Sequence, residues 1–166
     1  MAINSEFMNI VESLESKFQD LITAAPMKYR ELPQNLPKRA IYLFSKGTKH
    51  LYVGRTNTLR SRLRGHCTPS ATHYTATLAF RMAREKTGLK KPAYSSKGSR
   101  ADLCRDPVFG QAFVEAKRQV SEMDIRFIQV DDPITQALIE IYVSLALKTP
   151  YNDFENHLLL LPIAAY

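Results

Sequence analysis

Two apolar, aromatic-rich runs, AIYLFS at 40–45 and HLYVGRT at 50–56, stand close together with Gly47 between them, and nothing else in the chain constrains its fold as strongly. Short runs of this composition around a glycine-bearing turn predict an antiparallel hairpin. Strand alternation puts Ala40, Tyr42 and Phe44 on one face and Ile41 and Leu43 on the other, and it groups His50, Tyr52 and Gly54 on the second strand. With Lys46-Gly47-Thr48 as the loop, Tyr42 is expected directly opposite Tyr52. Two phenols then converge on one spot, although a cross-strand aromatic pair that only packs is the plainer reading of such a pair.

The residues just downstream weigh against that plainer reading. RTNTLRSRLRGH places Arg55, Arg60, Arg62, Arg64 and His66 in one short stretch. Asn57 or Thr58 is suited to cap a helix through about Gly65, anchored by Leu59 and Leu63, and on it Arg62 and His66 lie one turn apart on a face that suits a phosphate. The whole chain agrees in sign: 23 basic against 16 acidic residues give a net charge of +7 and a pI near 9.5. Such a balance favours a polyanionic partner, nucleic acid or an acidic membrane surface, while also serving solubility.

Other features set limits. Cys67 and Cys104 are too few for a disulfide framework, and neither cysteine forms a ligand-spaced cluster with the histidines, so no structural metal is expected. The start, MAINSEFMNIVESLE, lacks a basic segment followed by an apolar core, and no apolar stretch approaches a membrane span. The expectation is a cytoplasmic protein with no membrane partner.

Phe7, Val11, Leu14, Phe18 and Leu21 recur at helical spacing and predict a first helix from Ser5 to about Ala24, closed by Pro26. Pro26, Pro33 and Pro37 make a stiff connector. Tyr74–Thr87 is a helical candidate ended by Gly88, and 89–101, with Lys90, Lys91, Lys97 and Arg100, reads as a basic loop. Asp106-Pro107 opens a helix to about Met123, DIRFIQV at 124–130 is a third strand, and Asp132-Pro133 opens a last helix to about Lys148. The tail HLLLLPIAAY is apolar and has to pack somewhere.

AIY at 40–42, YVG at 52–54, Arg62 on the next helix, and Glu140 in ALIEIYVSLALKTPYN together resemble the signature of the GIY-YIG nuclease superfamily. The resemblance runs from about Ala40 to Asn152, with a long helical, basic insertion at 67–123, inside a single domain at 1–166 whose first 39 residues are helix and connector. Ala40 stands where the family usually has glycine. The resemblance implies an α/β (α+β) fold, a small three-stranded antiparallel sheet flanked by helices, with the site on the tyrosine face.

It also implies a metal-dependent endonuclease that hydrolyses DNA phosphodiester bonds, in restriction or in repair. Tyr42 is then the general base or the group that orients water, and Tyr52 hydrogen-bonds nucleophile or phosphate. Arg62 binds phosphate, His66 relays a proton or holds a phenol, and Glu140 holds Mg2+ or Mn2+. Asn152 orients its neighbours. A phenol near pKa 10 is a poor base at neutral pH, so Arg55, Arg62 and the metal are expected to lower the pKa of Tyr42. Arg55, Arg60, Arg64, Lys90, Lys91, Lys97 and Arg100 are the expected nucleic-acid contacts. Gln136, Glu140, Ser144 and Lys148 recur every four residues, so without the resemblance Glu140 reads as one position on a polar helix stripe. Two other readings stay open: a catalytically inactive nucleic-acid-binding module of the same fold, and an interaction protein using its first helix. The oligomeric state is open as well, a homodimer included.

Overall fold

The apolar spacing and the caps read from the sequence account for most of the elements in the computed structural model, which describes residues 4–88, 98–152 and 154. Helix α1 spans Ser5–Thr23, and its first turn is capped by the Asn4 side chain, which accepts from the Phe7 amide at 2.9 Å. Strands β1 (Ala40–Lys46) and β2 (Lys49–Thr56) form the hairpin, and α2 (Leu59–Cys67) follows. The insertion contributes α3 (Thr77–Thr87), α4 (Arg100–Arg105) and α5 (Pro107–Ser121), before β3 (Asp124–Gln129) and α6 (Pro133–Leu147). Aspartates cap both proline-led helices: Asp106 accepts from the Phe109 amide at 2.8 Å and Asp132 from the Thr135 amide at 2.6 Å.

The strands form an antiparallel sheet in the order β2-β1-β3. Helices cover both of its faces. Ile41, Leu43 and Val53 meet Leu14 and Leu21 of α1 and Ile139 and Val143 of α6. Tyr42, Phe44 and Tyr52 meet Leu59 and Leu63 of α2, Phe80 of α3 and Phe109 and Val120 of α5. The insertion is therefore the cover of the tyrosine face. The expected fold, three antiparallel strands flanked by helices, is the one observed.

Several local expectations are corrected. The hairpin turn is the two-residue Gly47-Thr48, flanked by the pair Lys46 and Lys49, with Gly47 at φ 59 as the first position of a II′-type turn requires. An irregularity between Phe44 and Ser45 then shifts the register, so Tyr42 faces Gly54 and Phe44 faces Tyr52. From Ala40 to Phe44 the shift from the expected register is two residues on one strand, which keeps Tyr42 and Tyr52 on one face. Beyond the irregularity it is one, and His50, expected beside Tyr52, pairs instead with Ser45 on the opposite face, its Nδ1 2.9 Å from Ser45 Oγ. The helix expected from Tyr74 starts at Thr77, because residues 72–75 form a turn closed by Thr72 and Thr75. Arg100 and Ala101, expected in a loop, begin α4, which Ser99 caps by accepting from the Asp102 amide at 3.1 Å. Lys90, Lys91, Lys97 and the tail at 157–166 lie outside the described residues.

Both sheet edges are occupied. Met27 exchanges backbone hydrogen bonds of 3.0 and 2.9 Å with Ile125 of β3. On β2, the Asn152 side chain accepts from the Val53 amide at 2.9 Å and donates to the Val53 carbonyl at 2.8 Å, while the Tyr151 amide donates to Leu51 O at 3.2 Å. An edge strand with free N–H and C=O groups is a template for unwanted pairing, and Asn152 removes one such pair. The chain returns to β2 through Lys148 in the left-handed region at φ 50, a conformation that costs a non-glycine residue about 1 kcal/mol or more.

Candidate active site

The tyrosine face and α2 build the centre together. Strand parity sends Tyr42 and Tyr52 to one side of the sheet, with ring centroids 6.2 Å apart. Leu59 and Leu63, both fully buried, fix the rotation of α2 so that Arg62 and His66 turn toward the same phenol. Arg62 donates through Nε to Tyr42 Oη at 3.0 Å, and His66 Nε2 lies 3.1 Å from the same oxygen. His66 also sits 5.7 Å, centroid to centroid, from both tyrosine rings and 5.3 Å from Phe44. Tyr42, Tyr52, Arg62 and His66 thus come together as the strand and helix periods predict.

The electrostatics depart from expectation. Burial pushes the Tyr42 phenol above its usual pKa and Tyr52 adds to the rise, and together they outweigh the Arg62 guanidinium, which acts in the opposite direction. The phenol is therefore protonated, and the expected lowering is corrected. Arg55 does not act on Tyr42 either, since it is paired elsewhere. Burial first, then Arg62 and Arg81, lower the His66 pKa to about 3, so the imidazole is neutral. With Arg62 donating to the phenol oxygen, the phenol hydrogen is free to go to His66 Nε2. That assignment leaves the ring hydrogen on Nδ1, which is buried without a partner.

Glu140 approaches from the other layer. Its helix packs on the Ile41 and Leu43 face, yet the carboxylate reaches the β2 edge, where Oε2 accepts from Arg55 Nε at 3.0 Å. The stripe to which it belongs is not a solvated face: Gln136 and Ser144 are buried, and the Gln136 amide donates to Val130 O at 2.6 Å. Burial raises the Glu140 pKa, opposed by Arg55 and Arg62, so its charge is felt at the arginine that holds Tyr42. Among the described residues no three His, Cys, Asp or Glu side chains gather as a metal cage. A lone, half-buried carboxylate suits only an ion that keeps most of its waters, as magnesium does.

The other candidate residues are dispersed. Arg60 donates to Pro33 O at 2.5 Å and Gln34 O at 2.7 Å, tying α2 to the proline connector. Arg64 is exposed on α2. Arg100 lies 4.3 Å over the Phe80 ring and donates to the His73 carbonyl. Two residues make contacts that the sequence reading does not assign: Gly54, which enters it only through its strand face and as part of YVG, and Arg81. Gly54 lies beneath Tyr42, where a Cβ would stand 3.0 Å from Tyr42 Cε1 and closer still to the phenol oxygen. Arg81 on α3 stands 5.9 Å from the centre of the Tyr52 ring and donates to the Tyr151 carbonyl. Strand parity puts Gly54 on the tyrosine face without showing how close the Tyr42 ring lies, whereas for Arg81 the contact is a tertiary property of which the sequence carries no signal.

No helix among the described residues is long and apolar enough to cross a membrane. No curated protein and no solved structure matches the chain. One family model does match, that of the GIY-YIG catalytic domain, over residues 38–95. The matched segment holds both tyrosines, Arg62 and His66, and it ends before Glu140 and Asn152, whose standing rests on geometry. Over residues 38–95 the chain is thus similar to the GIY-YIG catalytic domain, whose general chemistry is that of a nuclease, and its three-stranded antiparallel sheet flanked by helices is consistent with that fold.

Proposed function

We propose that the protein is a divalent-metal-dependent endonuclease that hydrolyses DNA. The observation that carries this reading is the Tyr42 phenol held between Arg62 Nε and His66 Nε2. Hydrolysis of a phosphodiester needs a proton acceptor at the attacking water, charge balance at the phosphate and help for the leaving oxygen. Tyr42 accepts the water's proton as its own passes to the neutral Nε2 of His66, so the phenol need not ionise beforehand. Arg62 stays bonded to the phenol oxygen through Nε and presents the rest of its fork to the phosphate. A phosphate beside Arg62 offsets part of the positive potential that depresses His66, which makes the imidazole a better acceptor when substrate is bound.

Glu140 is the residue that would hold the ion, with Arg55 as the cation it gives up. A bound magnesium ion supplies Lewis-acid stabilisation of phosphate charge and of the leaving group. A second reading, a nucleic-acid-binding module without turnover, draws on the complete burial of Tyr42 and the pairing of Glu140 with Arg55. Glu140→Gln separates the two: cleavage of plasmid DNA across a magnesium titration is expected to fall by orders of magnitude while DNA affinity persists. Cleavage at the wild-type rate removes Glu140 from the mechanism, and no cleavage by the wild-type protein favours the binding module.

A further inference from the structure

Helix α3 belongs to the cover over the tyrosine face, and one of its faces is aimed at the catalytic centre. Arg62 Nη2 donates to Thr77 Oγ1 at 3.3 Å in the first turn of α3. One turn later on the same face, Arg81 meets the Tyr52 ring. A helix that anchors the phosphate-binding arginine of α2 therefore brings a second guanidinium to the tyrosine face, against the Tyr52 ring.

That guanidinium is half-buried and, among the described residues, forms no ion pair with a carboxylate. Glu85, its neighbour one turn along α3, is engaged by the Tyr151 hydroxyl, and Glu115 pairs with Lys86. Arg81 uses a donor on the Tyr151 carbonyl, and its fork has five. Arg62 and Arg81 both press positive charge on His66, and Arg81 and Arg84 both press on Arg100. Like charges gathered in a partly dry place oppose folding, and an anion lying among them relieves the repulsion.

We infer that Arg81 is a second phosphate-binding residue of the active centre, gripping the DNA backbone phosphate next to the one that Arg62 holds. The insertion thereby extends the substrate path from the hairpin onto α3, with Arg100 on Phe80 continuing the positive surface. This deepens the nuclease reading and rests on it for the identity of the polyanion.

The test is DNA binding by the full chain without a divalent ion, at several salt concentrations, for the wild type, Arg81→Gln and Arg81→Lys. Loss of one phosphate contact is expected to weaken Arg81→Gln about tenfold and to reduce the slope of log K against log salt by about 0.9, with the slope of Arg81→Lys near that of the wild type. A guanidinium that only braces the Tyr151 carbonyl would change thermal stability and leave the slope alone, and that result overturns the inference. Should Arg81→Gln fail to fold, the Arg81 Nε–Hε resonance of the wild type, assigned through Arg81→Lys, is followed during titration with a duplex. A shift supports the contact, and a stationary resonance overturns it. Slope loss in a protein that never cleaves DNA would support Arg81 as a phosphate contact and count against the nuclease reading alone.

Discussion

The Tyr42 ring lies across Gly54, its partner on the neighbouring strand, so closely that no β-carbon fits between the phenol and the β2 backbone. Gly54 thus sets the height of the phenol above the sheet and, through it, the reach of Arg62 and His66. Gly54→Ala is expected to push the ring out of place and to cost about 1–3 kcal/mol, the usual penalty for overpacking a tight site. Urea denaturation measures that loss, and cleavage should fall further than the stability change alone requires.

His66 provides a pH signature. Its folded pKa of about 3 lies below the usual 6.5, so the unfolded chain takes up the proton first as pH falls. The stability contributed by the neutral imidazole is complete above pH 6.5 and drains away between there and about pH 3, at roughly 1.4 kcal/mol per pH unit. Denaturation midpoints between pH 7.5 and 5 should fall accordingly. His66→Gln should reduce that slope, with a remainder from His50 and His73, whose pKa values burial also lowers. An unchanged slope would mean that the imidazole is not held neutral.

Asn152 closes the β2 edge over Val53 with both ends of its amide. Asn152→Ala removes both bonds and should cost about 1–3 kcal/mol, the range for stranding buried polar groups. The Val53 amide proton should then exchange faster with solvent, while the amides that pair β1 with β3 keep their protection. Equal acceleration throughout the sheet would assign Asn152 to global stability instead of the edge.

How much of this was legible in the sequence follows from the range of each signal. Tyr42 and Tyr52 could be put on one face because strand parity survives a two-residue register shift, and Arg62 and His66 together because four residues make about one helical turn. The register itself was not legible: it depends on a two-residue turn and on an irregularity beside Phe44 that no residue type announces. Without the family resemblance Glu140 read as a plain stripe position, because the pattern of α6 cannot say that this stripe faces the edge of β2; only the resemblance singled it out. The Tyr42 pKa was misjudged for a related reason, since the arginines are visible in sequence and the depth of burial is not. Arg81 was hidden among the charges of RMAREK, where helical spacing gives no hint of what lies opposite.

The account turns on the Tyr42 hydroxyl as the group that passes a proton from water to His66. Single-turnover nicking of a supercoiled plasmid in magnesium, by the wild type and by Tyr42→Phe, tests it most directly, with circular dichroism and DNA binding followed in parallel. The wild type is expected to nick. The phenylalanine variant, folded and still bound to DNA, is expected to nick at least about a hundredfold more slowly, the lower range for losing a proton-transfer group. Nicking by Tyr42→Phe at the wild-type rate, or none by the wild type itself, would contradict it.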